Sequence, residues 1–258
     1  MQKISVVIAV KNEEKNIRAC LEAVKWADEI VIVDDCSSDG TAAICREYAG
    51  KVIVTDSGGN FHKNKNLGLA NAAGDWLLSL DADEVVSAEL RDEICARLAS
   101  DTGGVDGFYI PRHNYFLGRR ITGCGWAPDY IIRLFRKGAA QWPLDIHYVP
   151  RLADESRAGR LESPLIHYSY RSLEQYFEKF NRYTARLAGE ARAKGVRVGA
   201  WNFITLFFIK PLFWFLRKYL FRKGFMDGFR GLFISLSSGL VIFVTYAKLW
   251  EMQENERS

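Results

Sequence analysis

The chain has 258 residues, 48% hydrophobic and 26% charged, so it is long and apolar enough for a full-sized core, and disorder is excluded. Its net charge of +4 is concentrated in residues 201–248, which hold seven Lys and Arg residues and one acid, Asp227. Five scattered cysteines without a Cys-x-x-Cys pair favour reduced thiols over a zinc site. The early apolar run, residues 6–10, is too short for a signal-peptide core, so we expect a cytoplasmic protein.

Apolar β-branched runs alternate with amphipathic segments in the first half of the chain. We predict strands at residues 4–10, 29–33, 51–55 and 76–80. We predict helices from residue 12 and at residues 42–48 and 63–72. This alternation predicts an α/β fold with a mostly parallel sheet flanked by helices. In such sheets ligands bind beyond the carboxyl ends of the strands.

Acidic residues follow three of these strands. Glu13 follows the first strand, Asp35 the second, and Asp81 and Asp83 the fourth. Two carboxylates at a strand end suit a hard divalent cation, Mg²⁺ or Mn²⁺, that bridges the oxygens of a diphosphate. Strand alternation predicts that Asp81 and Asp83 point to the same side. An isolated Asp-x-Asp is a weak signal, and its alternative is a solvated acidic turn.

The pattern changes twice in the second half. Residues 103–170 contain shorter strands, including 108–111 and 130–135, which we expect to add antiparallel to the sheet. Ser172 then begins a helix, with Gln175 in the capping-box position. We therefore predict a catalytic domain over 1–170, divided into halves 1–100 and 101–170, and a helical region over 171–258.

Aromatic residues are interleaved with the basic residues of 201–250. A basic, aromatic amphipathic segment is typical of a helix that lies on anionic lipid. The alternatives are a helical hairpin packed into a soluble core and a bilayer span over the 17 uncharged residues 231–247. We expect no nucleic-acid partner, because the stretch is too apolar between its charges.

Four segments of the first ninety residues together carry a family resemblance. Residues 5–14 (SVVIAVKNEE), 33–41 (VDDCSSDGT), 65–68 (KNLG) and 74–84 (GDWLLSLDADE) resemble the successive signatures of family 2 glycosyltransferases. The resemblance implies the Rossmann-like GT-A fold, a nucleotide-diphosphate-sugar donor and inversion at the anomeric carbon. By position, it implies the following roles: base contact for Asp35, ribose contact for Asp81, metal binding for Asp83, a place beside the nucleotide for Glu13, and contact with base or pyrophosphate for Lys65.

Later segments are similar to the branch of lipopolysaccharide-core β-1,4-glucosyltransferases. They are residues 111–119, 125–130, 133–136, 167–170 and 246–250. This resemblance implies transfer of a hexose, with glucose favoured, from a UDP-sugar to a lipid-linked saccharide. It also implies peripheral association with the inner face of the plasma membrane, in agreement with the basic C-terminal region.

One departure from this branch concerns the general base. The branch commonly has His-Glu where this chain has His147 and Tyr148. An inverting transfer needs a group that takes the acceptor's proton, and we predict Asp145, with Asp129 as the alternative. His167 either completes the metal's coordination sphere or is a packed histidine. Two other functions stay open: transfer to a polyprenyl phosphate, and a non-catalytic UDP-binding assembly factor.

Overall fold

The computed structural model describes residues 2–100, 102–144 and 149–256. The chain forms two compact units. The first comprises Met1–His113 and Asp129–His167, and the second comprises Asn114–Pro128 and Tyr168–Ser258. The second unit therefore takes in a segment from the middle of the chain as well as the C-terminal helices.

The strands and helices are numbered in chain order. The strands are β1 (Ile4–Val10), β2 (Glu29–Asp34), β3 (Lys51–Val54), β4 (Trp76–Asp81), β5 (Glu84–Val86), β6 (Gly107–Phe116), β7 (Arg119–Arg120), β8 (Tyr130–Arg136), β9 (Ala140–Gln141), β10 (Arg151–Leu152), β11 (Ala158–Arg160) and β12 (Leu165–Tyr170). The α-helices are α1 (Glu14–Glu22), α2 (Thr41–Tyr48), α3 (Phe61–Asn71), α4 (Ala88–Ala99), α5 (Leu173–Ala193), α6 (Lys210–Leu216) and α7 (Gly228–Asn255).

The main sheet begins with four parallel strands in the order β3-β2-β1-β4. The apolar side chains of β1, β2 and β4 are almost wholly buried, as strands covered on both faces require, whereas the edge strand β3 is partly exposed. Val10 of β1 pairs with Asp34 on one side, and Ala9 pairs with Asp81 on the other. The carboxyl ends of β2 and β4 thus lie on either side of β1 at nearly the same level.

The sheet continues through β8, β6, β12 and β5. β8 is antiparallel to both β4 and β6, which confirms the prediction for these added strands, whereas β11 is parallel to β6. β12 is antiparallel to β5 and places His167 opposite Glu84. The predicted α/β fold class is confirmed. The sequence prediction missed β5, which is only three residues long, and α4, whose N-terminus is capped by the side chain of Ser87.

The first helix begins later than predicted. We expected it from residue 12, but α1 begins at Glu14. Asn12 has a φ of 54°, a left-handed conformation that a right-handed helix cannot include. The loop is held by the backbone N–H of Asn12, which donates to Ser37 Oγ at 2.9 Å.

In the second unit, α5 and α7 pack against each other, and α6 packs against α7. Ser172 caps α5 as predicted, because its Oγ accepts from the backbone N–H of Gln175 at 3.1 Å. Five-residue π-helical turns flank α6 at Thr205–Ile209 and Arg217–Phe221. One helical stretch among the described residues, Gly224–Asn255, is long and apolar enough to cross a bilayer by length and composition alone.

Candidate active site

Asp35, directly after β2, is buried and accepts several hydrogen bonds. Its Oδ1 accepts from the backbone N–H of Ser57 at 2.6 Å and from Asn64 Nδ2 at 3.1 Å. Lys11 Nζ, at the end of β1, lies 3.0 Å from its Oδ2. Burial by itself raises the pKa of Asp35, but the hydrogen bonds from Ser57 and Lys11 outweigh it and lower the pKa. Asp35 is therefore a fixed anion that orients this loop.

Asp81, the last residue of β4, accepts hydrogen bonds from two buried cations. Lys65 Nζ of α3 contacts its Oδ1, and Arg133 Nη2 of β8 contacts its Oδ2. Its side chain stays 32% exposed, so part of the carboxylate faces solvent. Burial opposes ionisation, but the charges of Arg133 and Lys65 lower the pKa of Asp81 well below its ordinary value.

The network extends from Arg133 to two further acids, Glu84 and Asp129. Arg133 Nη2 also donates to Oε1 of the fully buried Glu84 at 2.8 Å. Arg112 lies between Glu84 and Asp129, with Nη1 3.3 Å from Glu84 Oε1 and Nε 2.8 Å from Asp129 Oδ2. Glu84 also contacts the end of β4, because its Oε2 accepts from the backbone N–H of Asp81 at 2.9 Å.

Helix α3 joins the two strand ends. Its consecutive residues Asn64 and Lys65 donate to Asp35 and to Asp81, respectively. Gly68, one turn further along α3, has no room for a side chain, since a Cβ there would lie 2.4 Å from Val7 Cγ1 on β1. This close approach of α3 to β1 lets neighbouring residues reach acids on both sides of the strand.

Trp142 covers the buried cations. Lys65 Nζ lies 3.6 Å from the centre of a Trp142 ring, and the guanidinium carbon of Arg133 lies 5.1 Å from it. The indole N–H of Trp142 donates to Ser79 Oγ on β4 at 3.1 Å. Burial lowers the pKa of Lys65 despite the opposing charge of Asp81. The sequence analysis missed Trp142, which lies in an irregular segment between β9 and β10.

Asp83 has a different partner from Asp81. β4 ends at Asp81, so the strand alternation on which a common side for Asp81 and Asp83 was predicted does not extend to Asp83, and that common side stays a prediction. Asp83 Oδ2 lies 3.6 Å from His167 Nε2, on β12, and both side chains are largely buried. An acid and an imidazole this close suit a shared cation, because Mn²⁺ accepts both oxygen and nitrogen ligands.

Two observations bear on whether a metal and a diphosphate fit here. Among the residues that the structure describes, no group of three or more His, Cys, Asp or Glu side chains is arranged to hold a metal. A cation held by Asp83 and His167 would therefore need further ligands from elsewhere. Arg133 Nε and Nη1 are buried without a hydrogen-bond partner within the described ranges, which costs about 1–3 kcal/mol per group. Phosphate oxygens would satisfy these donors.

The remaining predicted residues are placed as follows. Glu13 Oε2 accepts from Asn16 Nδ2 at 2.7 Å, at the start of α1. Asp129 is engaged with Arg112, as described above. Asp145, His147 and Tyr148 lie outside the described residues. The structure thus brings Asp35, Lys65 and Asp81 into one network and pairs Asp83 with His167.

The fold and these strand-end acids define an α/β enzyme of the glycosyltransferase type. The chain belongs to glycosyl transferase family 2, whose family model matches residues 5–149. The predicted family is thereby confirmed, and the protein is a glycosyltransferase.

Relatives match nearly the whole chain. An uncharacterized glycosyltransferase, RT0209, of Rickettsia typhi is 30% identical over 100% of this chain and 90% of its own length. The lipopolysaccharide core biosynthesis glycosyltransferase LpsC of Rhizobium meliloti is 28% identical over 96% of this chain and 92% of its own. The crystal structure of S. aureus TarS 1–349 in complex with UDP has a TM-score of 0.50 at 17% identity, covering 98% of this chain and 92% of that one. This last likeness confirms the fold.

Proposed function

We propose that the protein transfers a hexose, glucose in the first instance, from a UDP-sugar to a lipid-linked saccharide such as lipopolysaccharide core, with inversion at the anomeric carbon. The observation that carries this proposal is the link through Asn64 and Lys65 between Asp35 and Asp81. It places two fixed carboxylates and two buried cations at the carboxyl ends of parallel strands, where nucleotides bind.

The donor end of the proposal assigns a role to each group. Asp35 accepts from the base and the exposed edge of Asp81 accepts from ribose hydroxyls, with Glu13 beside the nucleotide. Lys65 and the two N–H groups of Arg133 that have no partner among the described residues face the diphosphate. The UDP complex of the structurally similar TarS supports a uridine nucleotide. The name of the relative LpsC supports a lipopolysaccharide-core acceptor.

Asp83 and His167 would hold Mg²⁺ or Mn²⁺, with Asp81 as a further proposed ligand on its exposed side. The bound cation would neutralise the negative charge that accumulates on UDP as it leaves. Since Asp81 already pairs with two cations, we expect Asp83 to contribute more to metal affinity than Asp81 does.

Inversion requires a single displacement. An acceptor hydroxyl oxygen bonds to the anomeric carbon while the bond from that carbon to the UDP oxygen breaks, and a base takes the hydroxyl proton. We propose Asp145 as this base. Asp129 is the alternative, but its carboxylate is already held by Arg112. Asp145→Asn should therefore lower kcat far more than Asp129→Asn, and the reverse order would assign the base to Asp129.

The acceptor implies a place in the cell. We propose that the protein is cytoplasmic and binds peripherally to the inner face of the plasma membrane, where anionic lipid meets its basic C-terminal region. The 7 basic residues and one acid of residues 201–248 support this location.

The test is a transfer assay with the full chain, Mn²⁺, several UDP-sugars and two acceptors, lipopolysaccharide core and a polyprenyl phosphate. We expect glucose transfer to the core, with loss of activity on chelation and in Asp83→Asn. Glu89→Gln, an acid in the first turn of α4, is the control for removing a charge. Transfer to polyprenyl phosphate but not to the core would show that polyprenyl phosphate is the acceptor. UDP binding without transfer to any acceptor would show a non-catalytic protein.

A further inference from the structure

The helical segment of residues 203–221, called here the outer helix, turns apolar side chains to the outside. It consists of α6 with the π-helical turns on either side. One row of its side chains repeats every four residues and is strongly exposed at Ile204 (66%), Phe208 (59%), Leu212 (56%) and Leu220 (49%), with Leu216 of the same row partly buried. A second row beside it contains Ile209, Phe213 and Phe221, which are also exposed.

The π-helical turns explain how these rows stay on one face. In a regular α-helix of 3.6 residues per turn, a four-residue repeat drifts by about 40° at each step. Between Ile204 and Leu220 this drift would carry the row almost to the opposite side. The wider i→i+5 turns at Thr205–Ile209 and Arg217–Phe221 raise the number of residues per turn and offset the drift. The backbone therefore departs from regular geometry in a way that keeps one apolar face.

The opposite side of the outer helix is packed. Phe207 contacts Phe243 of α7 with ring centroids 5.3 Å apart. A Cβ at Gly239 of α7 would lie 2.8 Å from the carbonyl oxygen of Pro211, so the two backbones are close. The exposed rows thus form a separate face. Contact of this apolar face with water is unfavourable, and contiguous exposed apolar side chains mark an interaction surface.

The charges around this face favour an anionic occupant. Residues 203–223 hold five cations and no acid. The cations are Lys210, Arg217, Lys218, Arg222 and Lys223. The next acid along the chain, Asp227, is occupied by a loop of the same unit, since it accepts from the backbone N–H of Thr122 at 3.0 Å and of Gly123 at 2.7 Å. Two copies of this face would repel each other, whereas anionic lipid headgroups would attract it.

We propose that the outer helix lies in the plane of a membrane surface that contains anionic phospholipid, with its two apolar rows in the boundary of the acyl chains. This rests on the proposed function and deepens it, because it names the element that holds the enzyme on the surface where a lipid-linked acceptor is found. Trp201, fully exposed just before the helix, would lie at the headgroup level, which tryptophan favours.

The packing of α7 also indicates that this helix does not cross the bilayer. α7 packs against α5, where Lys248 Nζ donates to the carbonyl oxygen of Asn181 at 2.8 Å and to Thr184 Oγ1 at 2.9 Å. α5 carries seven charged side chains in its 21 residues. If α7 crossed the bilayer, it would either carry the charges of α5 into the hydrocarbon core or lose its packing on α5. Both changes are unfavourable in free energy. An in-plane position avoids both.

The test is binding of the full chain to vesicles of phosphatidylcholine, with and without 30 mol% phosphatidylglycerol (about the anionic content that polybasic segments respond to). We expect Phe208→Glu and Leu212→Glu each to lower the bound fraction on anionic vesicles about tenfold, because a carboxylate then faces lipid. Val54→Glu is the matched control, since Val54 is 52% exposed in the first unit. It should bind as the unchanged protein does. Circular dichroism melting checks that all three variants are folded.

Three results would overturn the proposal. The first is undiminished vesicle binding by Phe208→Glu and Leu212→Glu. The second is bound protein that resists extraction with alkaline carbonate, which would show a spanning α7. The third is a concentration-dependent dimer without vesicles that Phe208→Glu dissociates, which would show that a second copy covers this face. The Glu variants should still transfer the sugar to a delipidated core oligosaccharide, because that acceptor needs no membrane. If the unchanged protein does not transfer to this acceptor, the proposed function is refuted instead.

Discussion

The two units use apolar residues in opposite ways. In the first unit, Val6, Ile32 and Leu78 of the parallel strands are completely buried. In the second unit, Phe208 and Leu212 of the outer helix are more than half exposed. Interior strands of the main sheet are covered by helices on both faces, whereas the described residues pack against one side of the outer helix. The same apolar residue types therefore form a core in the parallel sheet and an exposed face on the outer helix.

Charges show the same contrast, and the largest expected effect tests it. Arg133 is buried between Asp81 and Glu84, so Arg133→Met removes the cation that the two carboxylates share, leaves Lys65 at Asp81 and Arg112 at Glu84, and should cost about 3–5 kcal/mol of unfolding free energy. Arg222→Met, at an exposed cation of the second unit, should change it by less than about 0.5 kcal/mol. Urea denaturation measures both, and equal losses would contradict the contrast.

Matched leucines test the apolar side of the comparison. Leu78→Ala removes a wholly buried side chain of β4 and should cost about 2–5 kcal/mol. Leu212→Ala makes the same chemical change on the exposed row of the outer helix and should cost under about 0.5 kcal/mol in the absence of membranes. A loss above 2 kcal/mol in Leu212→Ala would mean that protein, not solvent, covers this face.

Glycines show that the second unit also has a tightly packed interior. A Cβ at Gly231 would lie 1.8 Å from the carbonyl oxygen of Gly224, and a Cβ at Gly68 would lie 2.4 Å from Val7 Cγ1. Gly231→Ala and Gly68→Ala should each cost about 1–3 kcal/mol by overpacking. Gly189→Ala in α5 meets nothing within 4 Å and should stabilise by roughly 0.5–1 kcal/mol. Thermal melting curves would show these opposite signs.

The smallest effect concerns pH and His62 in the first unit. Burial lowers the pKa of His62, whose Nδ1 lies 2.5 Å from the carbonyl oxygen of Pro143. The unfolded chain then binds a proton more readily than the folded one below about pH 6.5. Stability should fall as the pH decreases from 7.5 to 5.5, and His62→Asn should reduce this dependence. An unchanged slope in the variant would exclude His62 as its source.

Much of the first unit was predictable from local sequence. β1 has the predicted bounds, and β2 and β4 each extend one residue beyond theirs, because short, mostly apolar runs of this length fit a strand buried on both faces. The strand-end acids Asp35 and Asp81 were identified for the same reason. β5 was not predicted, since three residues carry no periodicity, and the late start of α1 depends on the left-handed Asn12.

The partners of the acids could not be predicted. Arg133 alternates with apolar residues on β8, and its spacing alone allows contact with phosphate or with solvent. Only the pairing of β4 with β8 and the packing of α3 on β1 bring Arg133, Lys65 and Trp142 to Asp81. Each of these residues is far from Asp81 in the sequence, so no local sequence pattern predicts that they meet.

The sequence by itself determined the family, the parallel half of the sheet and the basic, aromatic character of the C-terminal region. It did so because strand burial, strand-end chemistry and composition are local properties. Tertiary structure alone decided that Asp81 faces two cations while Asp83 faces His167, and that the outer helix keeps its apolar rows on an unpacked face. Both depend on which segments meet in space, and in the outer helix also on two turns that depart from the regular α-helical repeat.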